Sequence, residues 1–426
     1  MTAAGGAGRT VVVVGASLAG LRAAEELRRR GFAGRVTVIG DETHPPYDRP
    51  PLSKQVLAGD WPLERIALTV AAEGGVEALD LDWRLGTAAT GLDVAAREVE
   101  LADGMRVAYD GLVVATGAAP RALPGTGTLA GVHTLRTLDD CLAVRAALDA
   151  GAARVVVVGA GFIGAEVAAT SRTRGCEVTV LEALPVPLGR VLGDEMGAVM
   201  GDLHRDHGVD LRLDTGVAGF EGDGRVERVR LADGASIDAD LVVVGIGVTP
   251  NTGWLEGSGL ALDDGVVCDA TTLVAPGIVA AGDVARWPSH RFGDLLRVEH
   301  WDNAIGMGEH AARRLLAEAP FTASNGAAGA GGADAAAAVG AYDPVPWFWS
   351  DQYDRKIQLA GWSAGADEVV VVDGSTDERR FVALYRRGDR LVAVLAMNRP
   401  RLLVTYRALV ERGAGWDEAM AQATPA

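Results

Sequence analysis

The chain has 426 residues, 49% apolar and 23% charged, an ordinary globular balance with too much sequence for a single core. Its formal net charge of -17 argues against a nucleic-acid partner and gives no reason for binding to an anionic membrane. No apolar run reaches the roughly 18 residues of a membrane span, and no charged-then-apolar leader opens the sequence, so a cytoplasmic protein is expected.

The first element is a β-branched run from Val11, a Gly-rich turn with Gly15, Ser17 and Gly20, a helix-period segment and a second β run that closes on Asp41. This is the strand–loop–helix–strand unit that seats a dinucleotide: glycines let the backbone approach the pyrophosphate, and the helix N-terminus presents N–H groups to it. Ser17 stands where the pattern has its middle glycine, and it is small enough for the loop to persist. The unit recurs from Val155, with the full set Gly159, Gly161 and Gly164 and a closing acid, Glu182. Each acid is placed to accept hydrogen bonds from ribose hydroxyls. Glu182 also repels a 2′-phosphate, and Ala183, Leu184 and Pro185 supply no arginine to offset it, so NADH is expected over NADPH.

The duplication extends further. The LADG stretch at Leu101 parallels that at Leu231; in each, Ala-Asp-Gly forms a hairpin turn and a buried strand then ends in a Gly-containing loop. A third such strand, Gly277 to Ala285, has no counterpart in the second copy. It ends at Asp283, whose carboxylate is suited to a ribityl hydroxyl, with a helix expected after it to face the flavin ring. This extra strand marks the first copy as the FAD site.

The expected fold is α/β: two Rossmann-like nucleotide-binding domains, the second inserted in the first, plus a C-terminal α+β domain. Residues 1–118 and 252–321 would bind FAD, 119–251 the nicotinamide dinucleotide, and 342–426 would form an antiparallel sheet with one or two helices covering the flavin. The Ala/Gly-rich stretch 322–341 reads as a flexible linker or a short Ala-rich helix.

Several stretches together carry a family likeness. DETHPPYDRPPLSK (from Asp41), RVEHWDNA (from Arg297), PWFWSDQYDRKIQLAGW (from Pro346) and the paired nucleotide motifs closely resemble NADH-dependent ferredoxin reductases of bacterial oxygenase systems, the putidaredoxin reductase type. The resemblance spans nearly the whole chain apart from the linker. It implies that Arg49 and Lys54 lie by the flavin, with Lys54 near N5 and O4. Lys54 is one of only two lysines, with Lys356, among 40 basic residues. A compact cation beside N5 would stabilise charge on the reduced ring, a task for which a planar guanidinium differs in reach and geometry. The resemblance further implies that Ala115, Thr116 and Gly117 pack at the phosphate and ribityl side, that Arg136 contacts FAD, and that Trp301 offers its backbone N–H to the pyrimidine edge. Trp349 would help cover the ring. Glu166 would sit where nicotinamide docks, and Ile163 and Gly247 would join the NAD loop. Val186 stands where such reductases often carry a basic residue. His204 and His207 are spaced like metal ligands, but they lack a third partner and read as a helix face; no metal is expected.

The three cysteines, Cys141, Cys176 and Cys268, form no Cys-x-x-Cys pair, and none precedes position 141. Relatives that work through a redox disulfide or one active cysteine carry it near the N-terminal flavin motif. Electrons here must leave directly from the flavin, which suits a one-electron carrier such as a two-iron two-sulfur ferredoxin. An acidic ferredoxin would meet least repulsion at residues 341–426, which net -1 (11 basic, 12 acidic), leaving -16 for the rest. Arg379, Arg380, Arg386, Arg387, Arg399 and Arg401 are the expected local positive patch. Rubredoxin or quinone reduction stays open, as does a slow NADH-sensing flavoprotein, and the chain is expected to be a monomer or a homodimer.

Overall fold

The computed structural model describes residues 8–318, 321 and 337–423. The chain divides into two compact units, one of Met1–Asp48, Ala67–Ala119 and Thr249–Pro344 and one of Arg49–Ile66, Pro120–Val248 and Val345–Ala426.

The first unit is built on a six-stranded sheet in the order Leu273–Ala275, Ile278–Ala280, Gly111–Val114, Thr10–Val14, Arg35–Ile39, Asp82–Arg84. Thr10–Val14 runs parallel to both of its neighbours, and its four valines are buried. Valine runs of this kind are what a strand covered on both faces requires. The helix Leu18–Arg29 follows the Gly-rich turn. It crosses the helix Trp301–Leu316 so closely that a Cβ on Gly308 would lie 2.5 Å from the Ala19 carbonyl oxygen.

The second unit repeats this plan. Its five-stranded parallel sheet runs Asp210–Arg212, Glu177–Leu181, Arg154–Val158, Leu241–Val244, Val132–Thr134. The likeness of the copies reaches single hydrogen bonds. Gly15 N–H donates to the Ile39 carbonyl at 2.8 Å, and Gly159 N–H to the Leu181 carbonyl at 2.7 Å. Asp103 Oδ1 caps the Met105 N–H and Asp233 Oδ1 the Ala235 N–H, each at 2.9 Å, in the two LADG turns. Asp110 Oδ2 accepts from Thr10 N–H at 2.8 Å, and Asp240 Oδ2 from Arg154 N–H at 2.9 Å, tying each closing strand to the start of its βαβ half.

The second unit also holds the C-terminal sheet, five antiparallel strands in the order Trp347–Gln352, Arg355–Gly361, Arg390–Met397, Arg380–Arg387, Glu368–Ser375, followed by helices Pro400–Glu411 and Trp416–Ala421. One face of this sheet packs Ile357, Leu359, Phe381, Tyr385 and Leu395 against Leu192, Met196 and Met200 of the helix Gly189–Asp206. Most of the stretch 322–341, residues 322–336, lies outside the described residues.

One element differs from expectation. No helix follows Asp283 directly. The chain makes a single 3₁₀ turn, Gly282–Val284, and then a hairpin of Ala285–Ser289 with Asp294–Leu296; the helix begins only at Trp301. The sequence explains this: Trp287 alternates with Arg286 and Pro288 at a strand period, and the proline precludes a helix interior.

Candidate functional site

Both Gly-rich loops are close-packed cradles. Gly15 and Gly159 have φ of +121° and +99°, and a Cβ there would lie 2.0 Å from the Ala115 carbonyl oxygen or 2.4 Å from that of Gly245. A Cβ on Gly20 would lie 1.9 Å from the Gly15 carbonyl oxygen, and one on Gly164 2.1 Å from that of Gly159. The middle position is different. At Gly161 the nearest atom to an added Cβ is 3.9 Å away. The protein itself leaves that position room, which accounts for Ser17 in the first copy. Both residues are extended N-caps of their helices, so the loop is kept. These loops fit a dinucleotide pyrophosphate at two places. Ile163, in the first turn of the second loop helix, is 45% exposed, unusual for an isoleucine beside a buried glycine. Gly247 is exposed, with φ of +100°.

The two closing acids are not equivalent. Glu182 directly follows the last paired residue of its strand, Leu181. Its Oε2 accepts from Ala160 N–H at 2.7 Å and its Oε1 from Leu184 N–H at 3.0 Å, so the carboxylate is fixed against the loop. The matching position in the first copy is Gly40, one past Ile39. Asp41 lies one residue further out and is exposed, its Oδ1 accepting from Glu42 N–H.

In the first unit, Ala115, Thr116 and Gly117 leave the end of the strand Gly111–Val114. Asn251 braces them: its side-chain amide donates to the Thr116 carbonyl at 2.9 Å, while the Thr116 hydroxyl donates to the Asn251 carbonyl at 2.8 Å. Asp283 is half-buried in its 3₁₀ turn, and a Cβ on the neighbouring Gly282 would lie 2.9 Å from Ala19 Cβ, so this turn closes on the first loop helix. Trp301 opens the helix Trp301–Leu316, and its indole N–H donates to Asp48 Oδ1 at 2.6 Å. Burial raises the Asp48 carboxyl above its ordinary range, against the opposing effects of Trp301 and Arg22. Burial likewise pushes the His300 imidazole down to about 4, so it stays neutral at physiological pH.

In the second unit, the prolines of RPPLSK set a 3₁₀ turn, Pro50–Ser53, ahead of the short helix Gln55–Ala58. Arg49 Nη1 donates to the Arg136 carbonyl at 2.7 Å. Arg136 is held in turn by Asp140, which accepts its N–H and completes a capping box with Thr137. Lys54 meets Glu166: Nζ lies 2.7 Å from Oε2, with side-chain exposures of 11% and 3%. Two serines complete the carboxylate's surroundings. Ser53 Oγ donates to Oε2 at 2.5 Å and Ser350 Oγ to Oε1 at 2.7 Å. Trp349 lies on the other face of its strand from Ser350, beside Trp347 at a ring distance of 5.3 Å. Ser53, Ser350, Asn251 and Asp48 did not stand out in the sequence. The two serines sit inside RPPLSK and PWFWSDQYD, and nothing local in either stretch distinguishes them.

The remaining groups are accounted for. His204 is buried and pushed down to about 4 by that burial; its Nδ1 lies 3.0 Å from the Tyr353 hydroxyl, and His207 stacks on the same ring at 3.7 Å. Among the described residues no three His, Cys, Asp or Glu side chains are grouped to hold a metal. All three cysteines are free and buried, and burial raises each thiol, to about 12 for Cys141 and Cys268.

Residues 9–308 match the family described as pyridine nucleotide-disulphide oxidoreductase, and residues 347–425 match the reductase C-terminal family. Rhodocoxin reductase of Rhodococcus erythropolis is 40% identical over 395 residues, covering 92% of this chain and 87% of that protein. Putidaredoxin reductase of Pseudomonas putida is 36% identical over 424 residues, covering 96% and 95%. The crystal structure of the covalent putidaredoxin reductase–putidaredoxin complex superposes with a TM-score of 0.86 at 35% identity, covering 96% of this chain and 94% of that one. With both cradles in place and the match running through the nucleotide folds and the C-terminal sheet, the chain belongs to the pyridine nucleotide-disulphide oxidoreductases, enzymes that work with FAD and NAD(H).

Proposed function

We propose that this protein takes hydride from NADH and delivers single electrons to a two-iron two-sulfur ferredoxin that feeds an oxygenase. One observation carries the reading: two dinucleotide cradles stand in a chain whose three thiols are all buried and held protonated. A cysteine relay, the usual exit in disulfide-reducing relatives, has no residue to run on. The names of the similar reductases support the same partner class.

FAD, when bound, accepts two electrons together and releases them one at a time. The chain's part is to bind, orient and stabilise. In the first unit, Gly15, Ser17 and Gly20 would face the pyrophosphate, Asp41 a ribose, Ala115, Thr116, Gly117 and Asp283 the ribityl side, and Trp301 the pyrimidine edge. In the second, Arg49, Lys54, Arg136 and Trp349 would serve the flavin. Gly159, Gly161, Ile163, Gly164, Glu166 and Gly247 would hold NADH. Glu182, fixed by two backbone N–H groups, keeps lone pairs for a ribose diol and would repel a 2′-phosphate. Lys54, paired with Glu166 in a nearly dry setting, would present the positive end of that pair to the ring, where a charge acts more strongly than in water. In this scheme residues 1–118 and 252–321 serve FAD, 119–251 serve NADH, and 342–426 form the covering domain.

The ferredoxin would dock at the C-terminal segment. Arg379, Arg386 and Arg399 are already paired there, with Asp206 at 2.9 Å, Glu368 at 3.0 Å and Asp373 at 2.6 Å. Arg387 holds the Ala364 carbonyl. Arg380 and Arg401 are exposed and are the arginines best placed to meet an acidic partner. The decisive assay is NADH-driven cytochrome c reduction with and without an added two-iron two-sulfur ferredoxin. A rate that climbs with ferredoxin and saturates is the expected result. An NADH oxidation rate indifferent to ferredoxin sinks the reading.

A further inference from the structure

We infer that Ser350, oriented by Gln352, is a positioning residue for the NADH half-reaction: it fixes the plane of the Glu166 carboxylate and, through it, the Lys54 ammonium. The inference rests on the proposed place of Lys54 and Glu166 beside the nucleotides.

A carboxylate turns easily about its last torsion, because that rotation has broad, shallow wells. Lys54 Nζ and Ser53 Oγ both act on Oε2, at 2.7 and 2.5 Å. Two donors on one oxygen leave the group free to swing about that oxygen. Ser350 Oγ holds the other one, Oε1, at 2.7 Å, and removes the swing. A hydroxyl has one proton to give. Gln352 Nε2 donates to Ser350 Oγ at 3.1 Å, filling a lone pair and turning that proton toward Glu166. The relay therefore runs from the Gln352 amide through the Ser350 hydroxyl to Glu166 Oε1, the first bond strengthening the second, while the Lys54 ammonium donates to the carboxylate from its other side, at Oε2. Ser350 and Gln352 are both fully buried, so water does not substitute for either.

The strand that carries them is fixed at both ends of the contact. Phe348, on the same face, packs edge-on against Phe162 at 4.5 Å, four residues before Glu166 on its helix. Tyr353, at the hairpin tip, is held by His204 and His207. A C-terminal strand, 184 residues away in sequence, thus supplies part of the nicotinamide-side machinery. Displacing a reacting-site group by an ångström is enough to cost about a hundredfold in rate, so a loosened carboxylate has a visible price in turnover.

The test is single-turnover flavin reduction by NADH in the full-length holoenzyme, comparing S350A, Q352A, S350A/Q352A, E166Q and S350A/E166Q. S350A is expected to lower the limiting rate about fivefold to twentyfold, with the NADH Kd within about twofold, because orientation rather than binding is lost. Q352A should give a smaller loss, and S350A/Q352A should be close to S350A, since Gln352 reaches Glu166 through Ser350. S350A should add nothing in the E166Q background. Thermal melts of the same set supply a readout apart from catalysis: the S350A and E166Q shifts in Tm should be markedly non-additive. If S350A does not fold, Q352A and its double with E166Q carry the same comparison. A wild-type limiting rate in S350A beside a slow E166Q overturns the inference, as does an additive loss in S350A/E166Q. E166Q as fast as wild type would instead defeat the underlying reading of the site.

Discussion

A thiol passes electrons as a thiolate, and none of the three here is available in that form. Cys141 donates its S–H to the Leu52 carbonyl at 3.1 Å, and burial pushes it up to about 12. Cys268 is raised to the same level and Cys176 in the same direction, again by burial. Fully buried free cysteine behaves as a small hydrophobe whose S–H is a weak donor. Replacing all three by alanine should therefore leave NADH–ferredoxin turnover within about twofold of wild type while lowering stability by about 1 kcal/mol per site. Steady-state assay and denaturant melts check the two halves separately. Loss of turnover in a variant that melts normally would restore a thiol to the mechanism. Lys54 and Glu166 mark the opposite residue type, a nearly dry pair in which three donors, Lys54, Ser53 and Ser350, converge on one carboxylate. Removing one partner of such a pair typically costs about 3–5 kcal/mol, so Lys54 is a poor candidate for a neutral swap.

At the scale of elements, the two strand–loop–helix units can be separated by one methyl group each. Gly20→Ala would drive a Cβ to 1.9 Å from the Gly15 carbonyl oxygen, and Gly164→Ala to 2.1 Å from that of Gly159. Neither contact is relieved by a side chain moving aside, because both partners are backbone. Gly20→Ala is expected to purify with little bound flavin, whereas Gly164→Ala should keep FAD and lose most of its NADH affinity. Visible absorbance and NADH titration read the two effects. The reverse pattern would exchange the nucleotide assignments. These units were legible in the sequence because their determinants are local: the glycines, the valine runs and the Asp of each LADG turn act within a few residues of themselves. Asp41 departs from the parallel: Gly40 takes the place after Ile39 that Glu182 takes after Leu181, and the acid stands one residue further out. The helix expected after Asp283 gives way to a hairpin, because Arg286, Trp287 and Pro288 alternate at a strand period and the proline precludes a helix interior. Ser350 was out of reach altogether. Its partner is 184 residues away, and only the pairing of Trp347–Gln352 at the edge of the C-terminal sheet brings its hydroxyl to Glu166.

For the molecule as a whole, charge sets how a partner arrives. A chain at -17 repels an acidic ferredoxin at long range, yet residues 341–426 contribute only -1 of that. The arginines there do not count equally. Those paired to Asp206, Glu368 and Asp373 have their fields largely cancelled within the chain. Arg380 and Arg401 project from the C-terminal segment, on the strand Arg380–Arg387 and the helix Pro400–Glu411. Exposed charges of this kind govern encounter more than the lifetime of the complex. Arg380→Glu with Arg401→Glu should accordingly raise the ferredoxin KM several-fold at low salt and leave kcat near wild type. The difference should shrink once the ionic strength passes about 0.15 M, where the screening length falls to about 8 Å. Arg386→Glu serves as the control. It loses an internal pair with Glu368, so its effect should appear in the melting temperature more than in KM. Steady-state kinetics at three salt concentrations decides the matter. Equal KM shifts from the exposed and the paired arginines, or shifts indifferent to salt, would move the docking surface away from this segment.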